Sequence, residues 1–152
     1  MSVTDAGHHV EDIIALLENA PDTDWTPPTP NIREYWADAQ SERGPGADQP
    51  AVCYVWSPTD TTLERFSIDE DNYRETNTVE VQIWSLDETE VRQLQTDVAN
   101  ILGQYLDDNA VATPYSTVEP TTLMDFREQK PARTTDHYIM AVEIETDGLR
   151  DV

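Results

Sequence analysis

Thr78-Val79-Glu80-Val81-Gln82-Ile83-Trp84-Ser85-Leu86-Asp87-Glu88 is the stretch on which the fold turns. Val79, Val81 and Ile83 alternate with Glu80 and Gln82, the period-two pattern of a strand with one buried face. The period then changes. Val91, Leu94, Val98, Ile101, Leu102 and Tyr105 form one stripe at helical spacing. Between the two patterns, Ser85 followed three residues later by Glu88 reads as a capping box. A helix is therefore expected from about Leu86 to Leu106, closed by Asp107-Asp108-Asn109.

Upstream, Val10, Ile13, Ile14 and Leu17 fall on one helical face between Glu11, Asp12 and Glu18. They predict a short amphipathic helix from about Thr4 to Ala20, ended by Pro21. Its early carboxylates favour the positive end of the helix dipole. Trp25-Thr26-Pro27-Pro28-Thr29-Pro30 is too proline-rich for a helix or a central strand and reads as an extended connector. Ile32 to Ala37 predicts a strand. Ser41 to Pro50, around Gly44-Pro45-Gly46, predicts a mobile loop. Ala51 to Trp56 is apolar on both faces, as a central strand covered on both sides requires. Ser57-Pro58-Thr59-Asp60 reads as a turn, Leu63 to Ile68 as a further strand or a loop arm, and Asp69 to Asn77 as a polar acidic loop.

Downstream, Val111 to Glu119 has strand composition, continued by Thr121 to Phe126 after Pro120. Lys130-Pro131-Ala132-Arg133 is the one locally basic spot and reads as a loop. His137 to Glu145 alternates, with Tyr138, Met140, Val142 and Ile144 against Ala141, Glu143 and Glu145, and predicts a last strand. From Gly148 the chain is expected to fray. The order of elements implies an α+β fold: an antiparallel or mixed sheet packed by one long and one short amphipathic helix. A single domain over 1–152 is expected, with its core at about 8–146 and flexible loops at about 38–50 and 69–77.

Thirty-one acidic residues stand against nine basic ones, a net charge of -22, and Lys130 is the only lysine. At roughly 1 M salt the screening length is only about 3 Å, so carboxylates crowd without disrupting a fold. In dilute buffer the same charges repel and destabilise it. The composition therefore reads as adaptation to the cytoplasm of an extreme halophile. It also excludes a basic stripe for nucleic-acid binding. Residues 1–12 contain Asp5, Glu11 and Asp12 and no Lys or Arg, the reverse of a signal n-region. No apolar run approaches the length of a membrane span.

No residue set of established chemistry emerges. GxGxxG, GxxxxGK[ST] and GxSxG are absent, and Gly44-Pro45-Gly46 lacks the helix start that a phosphate cradle needs. His8 and His9 are adjacent and diverge on a helix, and His137 sits at a strand entry. Cys53 is a lone cysteine in an apolar run, which gives neither a disulfide nor a cysteine-based zinc cluster. Carboxylates are too numerous for any pair to mark acid–base catalysis. No catalytic, cofactor or metal residues are expected. The four tryptophans admit two readings, core or subunit contact. Trp25, in the connector, and Trp36, beside a loop, are the better interface candidates; Trp56 and Trp84 end apolar strands and suit a core. Arg33, Arg127 and Arg133 are expected to bridge acidic neighbours between subunits.

The segment Val79-Glu80-Val81-Gln82-Ile83-Trp84-Ser85, its amphipathic helix ending in Leu102-Gly103-Gln104-Tyr105-Leu106, and the strand Tyr138 to Glu145 resemble the tail terminator (tail completion) proteins of long-tailed phages and haloarchaeal tailed viruses. The resemblance spans about Val10 to Glu145 and lies in element order and polarity pattern, with no catalytic motif. The acidic excess and the loops at 38–50 and 69–77 depart from typical members. The resemblance implies a ring, a hexamer in that family, that caps the tail tube and joins it to the neck. Its implied partners are further copies of itself, the tail tube protein and neck, stopper or adaptor proteins, with genomic DNA passing through the lumen unbound. The implied place is the head–tail junction of a virion made in the cytoplasm of a halophilic archaeal host. The alternatives are another neck component (head completion or stopper), a tail tube protein, or a cellular halophilic module that binds a partner protein.

Overall fold

In the computed structural model, residues 9–35, 45, 48–65, 72–104, 115–125 and 137–151 are described. The chain runs α1 (His9–Glu18), a single 3₁₀ turn (Asp22–Asp24), β1 (Asn31–Glu34), β2 (Val52–Trp56), β3 (Thr62–Arg65), β4 (Asn72–Ser85), α2 (Glu88–Gly103), β5 (Tyr115–Asp125) and β6 (Tyr138–Asp151). Among the described residues, six strands form one mixed sheet and two helices pack on it, an α+β fold.

β4 is the spine. The alternation that marks it from the sequence places Val79, Val81 and Ile83 on one face, each fully buried. β6 pairs with β4 along its whole length, from Asn72↔Asp151 to Ser85↔Tyr138. On the other side β2 covers residues 80–84 and β3 covers residues 73–76, so β2 and β3 lie end to end against one strand. The main order is β1-β2-β4-β6-β5, with β1 parallel to β2 and every other pair antiparallel.

Both helices cover the face that carries Val79, Val81 and Ile83. α2 buries Val91, Leu94, Val98 and Leu102 there, the predicted stripe; Ile101 is half-buried, and Tyr105 lies outside the described residues. α1 adds Val10, Ile13, Leu16 and Leu17; its predicted start at Thr4 also lies outside the described residues. Gln95 fastens α2 to the sheet, its Nε2 donating to the carbonyls of Met124 and Ala141 at 2.9 Å each.

The start of α2 corrects the sequence reading. Asp87, not Ser85, is the N-cap: its carboxylate accepts from the backbone N–H of Thr89 (2.8 Å) and Glu90 (3.2 Å). Ser85 shapes the approach instead. Its Oγ accepts from Asp87 N–H and donates to Glu90 Oε1. The cap is displaced because Ser85 still pairs with Tyr138 as the last residue of β4.

Two further corrections concern the ends of the sheet. Residues 72–77, expected to be loop, belong to β4, and residues 148–151, expected to fray, belong to β6. Each completes the other's backbone hydrogen bonds, and β3 closes the second side of residues 73–76. Polar side chains hid the pattern: Glu75 and Asn77 are buried on the helix side, Asn77 Nδ2 donating to Glu75 Oε1 at 3.2 Å. β1 ends at Glu34 rather than Ala37, and β3 shows that the start of the 63–68 segment is strand.

Candidate interaction surface

The face of the sheet away from the helices carries a second apolar cluster of Val52, Tyr54 and Trp84, with Tyr35 and Ile139 beside it. Tyr54 meets Trp84 edge to face at 5.8 Å, and Tyr35 meets Trp56 likewise at 5.4 Å. The tryptophan N–H groups feed a polar ladder along β4. Trp56 Nε1 and Gln82 Nε2 donate to Glu80, and Trp84 Nε1 donates to Gln82 Oε1 at 3.1 Å. Trp84 is buried in this cluster, as expected, whereas Trp56 is half-buried and belongs to neither apolar cluster. That face also bears the carboxylates of Glu80 opposite Glu143 and of Glu119 opposite Glu145. Arg74 grips Asp147 at its far end, Nε lying 3.0 Å from Oδ1. The hydrogen bonds and then the charge of Asp147 push the Arg74 guanidinium further up from its ordinary value. No group of three or more acidic, histidine or cysteine side chains suited to a metal ion occurs among the described residues.

The sheet has open sides. Among the described residues β1 pairs only with β2, and β5 only with β6. Asn31 N–H donates to Ala51 and Tyr35 N–H to Val55, so alternate residues of β1 face inward. The backbone groups of Ile32 and Glu34 consequently point away from the sheet. Beside this edge a cleft of about 280 Å³ opens between the end of α1, the connector and β1. Leu17, Trp25, Pro30 and Ile32 form its floor, while Glu18, Asp22, Asn31 and Arg33 make its accessible wall more polar than apolar.

The cleft brings together two of the predicted interface residues, Trp25 and Arg33. Trp25 requires correction as an exposed contact: it is only 5% exposed and belongs to the main core. The connector is anchored to α2 by Thr26 N–H, which donates to Asp97 Oδ2 at 2.8 Å, and this draws the indole inward. Arg33 is exposed on β1 and makes no ion pair among the described residues, whereas Arg74 and Arg92 bind Asp147 and Glu88. Trp36, Arg127 and Arg133 lie outside the described residues.

On the opposite edge, β5 holds surface residues that the sequence reading passed over. Pro120 and two register shifts, at Tyr115/Thr117 and Pro120/Thr122, interrupt its first part. Residues 122–125 then pair regularly, and Leu123 stands 58% exposed on the helix side of that edge. Pro120 was the available signal, because proline inside strand composition marks an edge strand or a bulge.

Among the described residues, the sheet thus has two strands, β1 and β5, with one neighbour each. No protein-family model matches the chain, and no curated protein matches it.

Proposed function

We propose that this chain is a structural virion protein of a halophilic archaeal tailed virus, a tail terminator that caps the tail tube and joins it to the neck as a ring. The observation that carries the reading is that, among the described residues, one sheet has both helices on a single face and open edges on opposite sides. Identical copies of such a body join edge to edge without any added element. The order strand β4, helix α2, strands β5 and β6 follows the order on which the family resemblance rests. With the helix-free face turned to the lumen, Glu119, Glu143 and Glu145 present carboxylates to passing DNA, whose phosphates they repel.

Imaging of purified virions tests the proposal. The expected result is density for this chain at the head-proximal end of the tail tube. Density along the tube assigns it to the tube, and density between portal and terminator makes it a head-completion or stopper protein. Absence from the virion overturns a structural role there and leaves a cellular binding module.

A further inference from the structure

We infer that the copies join by continuing one sheet across the subunit boundary, β5 of one copy against β1 of the next, with Leu123 seated in the neighbour's Trp25 cleft and Glu119 paired with its Arg33. The inference rests on the ring proposed above and supplies its interface.

Four observations carry it. Both strands are open edges among the described residues, and they lie at opposite ends of the sheet path. Strand directions agree: with β1 and β2 parallel and the other pairs antiparallel, β5 of one copy runs antiparallel to β1 of a copy in the same orientation. The backbone groups are available. Ile32 and Glu34 present theirs outward from β1. On β5, one Gln95 amide reaches both Met124 and Ala141, so the Met124 carbonyl faces β6. The backbone of Leu123 is thereby turned to the side away from β6.

The side chains are complementary on both faces. Leu123 pairs with Val142 and lies on the helix side, the side on which the cleft opens beside Ile32. Glu119 pairs with Glu145 and lies on the helix-free side, as does Arg33, which pairs with Tyr54. Antiparallel docking brings Leu123 to Pro30 and Ile32 while Glu119 meets Arg33. The step between the two contacts is three residues on each side, Pro30 to Arg33 and Val142 to Glu145, or about 10 Å. The copies are then staggered along the strands by roughly 13 Å, which strand tilt provides in closed sheets. A direct ion pair leaves no room for salt between its charges and is partly shielded by the joined sheet, so it is screened less than longer-range forces.

The test is particle mass by light scattering in 3 M KCl at high protein concentration. The wild type is expected to form a closed oligomer. Arg33→Glu, Glu119→Arg and Leu123→Asp should each reduce it to monomer, and Arg33→Glu with Glu119→Arg should restore it. All three side chains are exposed, so the circular dichroism spectrum of each monomer should match the wild type, while its melting temperature falls with loss of the stabilisation that assembly supplied. A wild type that stays monomeric, or a ring that survives both single charge reversals, overturns the interface. So does a charge-swapped pair that stays monomeric while folded. A ring that persists through other surfaces leaves the terminator reading standing, because that reading is decided by the position of the chain in the virion.

Discussion

Single side chains in the core already make definite predictions. Leu94 is fully buried between α2 and the sheet, so Leu94→Ala should cost about 2–5 kcal/mol in denaturant unfolding at molar salt. Thr146 is also fully buried, and its hydroxyl has no hydrogen-bond partner among the described residues. Thr146→Val keeps the shape and removes the orphan group. It should raise stability by roughly 1 kcal/mol, and a loss of stability would mean that the hydroxyl is satisfied in solution. Burial pushes the Cys53 thiol up, away from the thiolate. A thiol reagent should therefore label Cys53 only as fast as the protein unfolds; labelling of the native protein at the rate of a free thiol would contradict its burial. The sign of the linkage is plain as well. A thiol whose pKa is raised by folding favours the fold below its unfolded pKa, and that contribution is lost as pH rises through the folded value.

Elements are where sequence and structure part company in an informative way. The Asp87 cap is worth about 1 kcal/mol, so Asp87→Ala should destabilise the protein by that amount, measured as a shift in unfolding midpoint. A Ser85→Ala loss far exceeding the Asp87→Ala loss would restore the capping-box reading. The alternation at 79–83 was legible because its inward residues are aliphatic. The continuation of the same strand over 72–77 was not legible, because Glu75 and Asn77 take the inward positions and are satisfied there by hydrogen bonds. Residues 148–151 were hidden for a different reason: their strand state depends on partners more than 70 positions away, Gly148 on Glu75 and Asp151 on Asn72, which local composition does not report. Trp25 shows the converse. A proline-rich connector suggested exposure, yet the tether from Thr26 to Asp97 buries the indole. Of the interface candidates, Arg33 could be read as a surface cation. Its place on an edge strand of the described sheet and beside the cleft exists only in three dimensions.

At the scale of the whole molecule, the charge of -22 acquires a structural address. Glu80 faces Glu143 and Glu119 faces Glu145 across neighbouring strands, and like charges directly opposite destabilise a sheet. At up to ~1 kcal/mol for each pair, and about 2–4 °C per kcal/mol in a protein of this size, these two pairs alone should separate the melting temperatures in 0.1 M and 3 M KCl by about 5 °C. Equal melting temperatures would remove the case for salt adaptation. The spine has a mechanical consequence of its own. β4 and β6 lie antiparallel over 14 residues each, a ribbon about 45 Å long. Traction along that ribbon from opposite ends loads its rungs together, in shear. They yield in concert rather than one after another, and the apolar layer under the helices must slide before any of them parts. The direction of the strands is thus the direction in which this body is stiffest.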